Sequence, residues 1–160
     1  MTRPLLLVDV DGVLLPFPDR RPGFDGVAIA NAPHGFCPDH GAWLRELAPH
    51  FELAWCSMWG ERANRDICPR LGLPPLPVVE LWDDDDGLDR WKLPGVRRFV
   101  EDRPLAWVDD AFDAATREWA AARTAPTLLV GVRHRTGLNR RHVGRLRAFA
   151  RALRGYDFGP

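Results

Sequence analysis

Leu5-Leu6-Leu7-Val8 is an unbroken apolar run that stops at Asp9, Asp11 and Gly12. A strand with one wet face alternates apolar and polar residues, so a run with no polar member predicts a strand covered on both faces, as in parallel sheets. Four more short apolar runs follow, at Glu52–Cys56, Pro77–Leu81, Leu105–Val108 and Thr127–Val132. Segments with helical spacing lie between them: Asp39–Pro49, Glu61–Leu71, Pro94–Glu101, Phe112–Arg123 and Asn139–Leu153. Strands alternating with helices predict an α/β fold, a doubly wound parallel five-stranded sheet with helices on both faces. Ligands of such sheets bind beyond the carboxyl ends of the strands, so polar residues there carry the functional argument.

A chain of 160 residues suits a single domain, expected over residues 1–154, with a frayed tail at 155–160. An irregular, proline-rich insert at 16–38 could form a loop or a small hairpin near Gly26–Ala30. The 22 basic residues balance 22 acidic ones, so net charge points to no polyanionic partner. Three cysteines without a Cys-x-x-Cys pair argue against a disulfide framework or a zinc knuckle. The first apolar run is too short to span a membrane and has no cleavage site after it, which leaves the cytoplasm as the expected location.

Polar residues that packing does not explain stand at four places. The first strand ends Asp9-Val10-Asp11-Gly12, the second ends Cys56-Ser57, Lys92 opens a helix, and the next strand ends Asp109-Asp110. Carboxylates at i and i+2 leave an extended chain on the same side, and Gly12 permits a sharp turn after them. Four carboxylates in one crevice repel unless a cation sits among them, and oxygen-only ligands favour a hard ion such as Mg²⁺. Lys92 is the single Lys among 21 Arg. A compact ammonium suits a crowded phosphate site where a guanidinium fork would not fit.

These four motifs, in this order, resemble the signature of the haloacid-dehalogenase (HAD) superfamily, with a Rossmann-like sheet. More narrowly, Leu6-Leu7-Val8-Asp9-Val10-Asp11-Gly12-Val13-Leu14, Trp55 with Trp59 and Ala63-Asn64, Trp91-Lys92-Leu93-Pro94, and Thr136-Gly137-Leu138 resemble the HAD domain of Swiss Army Knife RNA repair proteins. The resemblance implies a phosphatase with Asp9 as nucleophile and Asp11 as general acid and then base. It gives Ser57, with Gly12 and Trp59, to substrate binding, and Lys92 to charge neutralisation and to orienting Asp9. Mg²⁺ would be held by Asp9, the backbone carbonyl of Asp11, and Asp110 or Asp109; Asp110 is expected to bind directly and Asp109 through water or Lys92.

Other features carry bland readings beside sharp ones. Asp83–Asp86 reads as a solvated acidic loop, and Cys37 with His40 as residues at a helix start rather than zinc ligands. Trp55 and Trp107 read as core; Trp59, Trp82 and Trp91 could stack a base or pack a lid. The eight Arg between Arg133 and Arg154 either track a nucleic-acid backbone or form the polar face of an amphipathic helix. Only 45 residues separate Asp11 from Ser57, and Leu81–Lys92 is shorter still, which leaves room for a minimal cap and an open site. The expected activity is Mg²⁺-dependent phosphomonoester hydrolysis, with nucleotides or polynucleotide ends as substrates and no obligate protein partner. The alternatives are a small-molecule phosphatase of other specificity, a receiver domain, disfavoured by its different order of motifs, and a non-catalytic phosphate-binding module.

Overall fold

Four parallel strands form the sheet at the centre of the computed structural model, which describes residues 3–16, 37–81 and 92–155. In chain order the elements are β1 (Leu5–Val8), α1 (Pro38–Leu47), β2 (Glu52–Trp55), α2 (Glu61–Asp66), α3 (Cys68–Leu71), α4 (Leu93–Val100), β3 (Leu105–Asp109), α5 (Ala114–Ala122), β4 (Thr127–Gly131) and α6 (Arg140–Gly155). The spatial order is β2-β1-β3-β4. Val8 pairs with both Trp55 and Val108, which brings the ends of three strands level.

The alternation of side chains divides the core into two layers. Leu6, Val8, Leu53, Trp55, Ala106 and Val108 pack with Leu44 and Leu47 of α1, with α2 and α3, and with Val143, Leu146 and Ala150 of α6. Leu5, Leu7, Ala54, Cys56, Leu105 and Trp107 face the other way, onto Val96 and Val100 of α4, with Trp119 of α5 packed at the margin. Apolar residues on both faces of β1 are what an unbroken apolar run requires.

The expected fifth strand is not formed among the described residues. Pro77–Leu81 keeps one parallel bridge, Trp55 to Val78, held by Trp55 N–H to the Pro77 carbonyl (2.8 Å) and Val79 N–H to the Trp55 carbonyl (2.9 Å). Pro74, Pro75 and Pro77 have no N–H to give a ladder and fix their own φ, so the run lies along the outer edge of β2 without becoming a strand. Val79 and Leu81 are still buried against the α4 face. The expected helix over Glu61–Leu71 is likewise two pieces, α2 and α3, separated at Ile67 (φ −107°). Pro69 cannot donate back to the preceding turn, so one continuous helix is not available there.

Residues 17–36, Trp82, Asp83–Asp86, Trp91 and the tail from Tyr156 lie outside the described residues, and with them most of the expected insert. Among the described residues no helix is long and apolar enough to cross a membrane. Cys37, Cys56 and Cys68 are all free thiols.

Candidate active site

The loop after β1 places two carboxylates at the carboxyl end of the strand while its apolar residues stay inside. Val13, Leu14 and Leu15 all turn back towards the Val10 carbonyl (3.2, 2.8 and 3.0 Å), and Gly12 N–H donates to Leu15 (2.9 Å). Val10, Val13 and Leu14 are fully buried in the larger core layer. Gly12 sits at φ +74°, and a Cβ there would come 2.5 Å from Asp110 Oδ2. Only glycine serves at this position, both for its backbone and for the space Asp110 occupies. From the far side Leu138 N–H donates to the Val13 carbonyl (2.8 Å), and the Leu138 carbonyl meets His40 Nε2 (3.0 Å). Cys37 and His40 thus stand at the start of α1, and His40 braces this loop from inside the protein.

Asp9 is anchored at both oxygens. Oδ1 accepts from the Val10 amide (2.7 Å) and Oδ2 accepts from Lys92 Nζ (2.7 Å). Lys92 also donates to Asp109 Oδ2 (2.6 Å), and Asp109 Oδ1 accepts from the Ala111 amide (3.0 Å). The sheet's periodicity accounts for this meeting. Asp9 continues the Leu5-Leu7 parity and Asp109 the Leu105-Trp107 parity, so both leave their strands on the face covered by α4, the helix that Lys92 opens. A cation at a helix N-terminus is unfavourable by itself, and here two buried carboxylates outweigh that.

Burial pushes the Asp9 carboxyl up to about 7, with Asp109 adding to the rise and Lys92 and the Val10 amide opposing it. Burial works against the Lys92 charge, but Asp9 and Asp109 outweigh it and hold the ammonium above its ordinary value. Beside them, burial raises the Cys56 thiol well above its usual range, so this cysteine is an inert apolar filler.

Asp9, Asp109 and Asp110 bring one carboxylate oxygen each within 4.8 Å of one another, and these three could hold a metal ion. The donor chemistry, all carboxylate oxygen, fits a hard divalent cation. The carboxylate of Asp11 does not join the trio. Both its oxygens accept from the indole N–H of Trp59, at 3.1 and 3.2 Å. Burial raises the Asp11 carboxyl, with the Trp59 hydrogen bond and Lys92 opposing.

Ser57 is buried just beyond β2, and its Oγ accepts from the Trp59 amide (3.3 Å). The Gly60 amide closes the turn on the Ser57 carbonyl (3.1 Å), with Gly60 at φ +50° before α2. The Arg62 guanidinium lies over the Trp59 ring, 4.9 Å from its centroid.

The structure therefore gathers Asp9, Lys92, Asp109 and Asp110 directly, and brings Asp11, Ser57 and Trp59 together as an adjoining group. Sequence reading did not find the Trp59–Asp11 pair, nor Arg62 and the exposed Met58 on the same turn. Of the C-terminal arginines, Arg140 and Arg147 pair with Glu46 (2.6 and 2.8 Å) and Arg154 meets His50 Nδ1 (2.7 Å), ties that dock α6 on α1 and its following turn.

The sequence profile of the HAD domain in Swiss Army Knife RNA repair proteins matches residues 5–143. The chain belongs to this family. The match runs from β1 into α6 and so takes in every HAD-signature position described above. No curated protein and no solved structure matches the chain. HAD domains are generally hydrolases that use a divalent cation, and the acidic trio could hold one.

Proposed function

We propose that this HAD domain is a Mg²⁺-dependent phosphomonoester hydrolase that works through an aspartyl-phosphate. The observation that carries the reading is Lys92 Nζ, 2.7 Å from Asp9 and 2.6 Å from Asp109, beside a third carboxylate, Asp110. A purely structural ion pair needs one carboxylate for one ammonium. The surplus negative charge suits a site that receives a cation and a phosphate.

The residues divide the reaction as follows. An Asp9 oxygen bonds to phosphorus as the ester P–O bond breaks, and Asp11 delivers a proton to the departing oxygen. Asp11 then takes a proton from water as that water attacks phosphorus, which frees phosphate and restores Asp9. Lys92 and the Val10 amide hold Asp9 in a fixed orientation throughout. Lys92 and Ser57 would meet the charge spread over the phosphoryl oxygens. Asp9 and Asp110 would ligate Mg²⁺ directly, and Asp109, held by Lys92 and the Ala111 amide, would steady the ammonium beside them. When bound, the ion supplies charge neutralisation between nucleophile and phosphate.

The substrate reading is a nucleotide or a polynucleotide phosphate end. The family's occurrence in RNA repair proteins supports it, as do the short intervals before Ser57 and Lys92, which leave room for a minimal cap and an open site. The test is phosphate release from p-nitrophenyl phosphate, mononucleotides and oligonucleotides phosphorylated at the 3′ or 5′ end, with Mg²⁺ and with chelator. Release should require Mg²⁺ and disappear in Asp9→Asn. Inert protein across the whole panel would favour a non-catalytic phosphate-binding module, and equal rates on oligomers and monomers would remove the polynucleotide assignment.

A further inference from the structure

Asp11 is the one signature carboxylate that stands apart from the acidic trio, and Trp59 is what it meets there. Several contacts fix Trp59 from other directions. Its backbone amide donates to Ser57 Oγ, Gly60 bends the chain behind it, its ring packs against the main core layer, and Arg62 covers one ring face. A side chain held this many ways is a rigid donor rather than a mobile one.

We propose that Trp59 is the positioning residue of the acid–base group: its indole N–H holds Asp11 apart from the cation site and aimed at the leaving oxygen. This rests on the reading of Asp11 as general acid and base. An indole nitrogen donates and cannot accept, so it orients the acid without competing for its proton. A donor shared between both oxygens also serves both halves of the cycle. With Asp11 protonated it bonds the carbonyl oxygen, and with Asp11 ionised it bonds either one. Arg62 covers one ring face, and the N–H edge is what Trp59 presents to Asp11.

Trp59→Phe keeps an aromatic ring for the core and for Arg62 but removes the donor. Proton delivery matters most when the departing oxygen is a poor leaving group. The variant should therefore lose kcat/KM, which reports the step that expels the leaving group, and the loss should be about tenfold greater for an alkyl phosphate than for p-nitrophenyl phosphate. Asp11→Ala should show the same dependence on the leaving group. A second readout needs no turnover. In the metal-free protein the Trp59 indole resonance in a ¹H–¹⁵N spectrum, identified by its absence from Trp59→Phe, should move upfield in Asp11→Ala.

An equal loss for both esters in Trp59→Phe, with Asp11→Ala keeping its leaving-group dependence, overturns the role of Trp59 and leaves the hydrolase reading intact. No leaving-group dependence in Asp11→Ala overturns both. An indole resonance indifferent to Asp11→Ala overturns the contact itself.

Discussion

Replacing Lys92 with Met removes the one ammonium shared by Asp9 and Asp109 while keeping most of the aliphatic stem. The side chains concerned are 12%, 7% and 1% exposed for Lys92, Asp9 and Asp109. Removing one partner of a pair this buried costs about 3–5 kcal/mol, because a charge is left without compensation. Here two carboxylates lose their partner, but protonation offers relief. Asp9 already titrates at about 7, far above its ordinary value of 3.8. A carboxyl raised on folding binds more protons folded than unfolded, so its contribution falls as pH rises from the unfolded value through the folded one. Without Lys92 that folded value rises further, and the loss extends to higher pH. The penalty should therefore be largely masked near pH 6 and more fully expressed near pH 8. At about 2–4 °C per kcal/mol for a chain of this size, Tm should drop by about 6–20 °C at the higher pH. Thermal unfolding followed by circular dichroism at both pH values measures it. Lys92→Met combined with Asp109→Asn should recover part of the loss, because one orphaned charge is gone. A Lys92→Met protein within about 1 kcal/mol of wild type at pH 8 would show that the three groups are not a buried, mutually dependent set.

The parts of the fold that were legible in the sequence are those where one physical rule dominates. An unbroken Leu-Leu-Leu-Val run has no solvated face, and β1 is covered on both sides. Asp9, Ser57 and Asp109 could be gathered in advance because parallel strands deliver their ends to one edge. The fifth strand was misread because Val78, Val79 and Leu81 satisfy a hydrophobicity rule, whereas Pro74, Pro75 and Pro77 govern the hydrogen-bond ladder. Pro69 gave the same warning inside the expected second helix. The meeting of Asp109 with Lys92 is carried by the parity of Trp107, which turns Asp109 towards α4. Trp59 was legible as a residue near the crevice and not as the partner of Asp11. Those two are 48 positions apart, and the approach depends on the Ser57–Gly60 turn and the Gly60 backbone at φ +50°.

Two further outcomes follow from residues that shape the site without reacting in it. Gly12→Ala must hold a left-handed φ of +74° and displace Asp110, whose Oδ2 lies 2.5 Å from the new Cβ position. It should lose about 1–3 kcal/mol in urea unfolding and should also weaken Mg²⁺ protection against heat; normal Mg²⁺ protection would separate Asp110 from the cation site. The other outcome concerns pH. Burial holds His40 below its ordinary 6.5, against the opposing pull of the Leu138 carbonyl and the Asp39 charge. Between the folded value and 6.5 the unfolded chain binds a proton that the folded chain does not, so stability rises with pH there and is lost as pH falls. That loss falls on the joint between α1 and the loop carrying Asp9 and Asp11, because His40 meets the Leu138 carbonyl and Leu138 N–H meets Val13. His40→Gln offers an amide donor to the same carbonyl and has no proton to gain. Its stability should therefore vary less than wild type between pH 7 and pH 5 in urea titrations. Parallel wild-type and variant curves across that interval would mean that His40 titrates alike in the folded and unfolded chains, and that its burial does not govern the acid sensitivity of the loop.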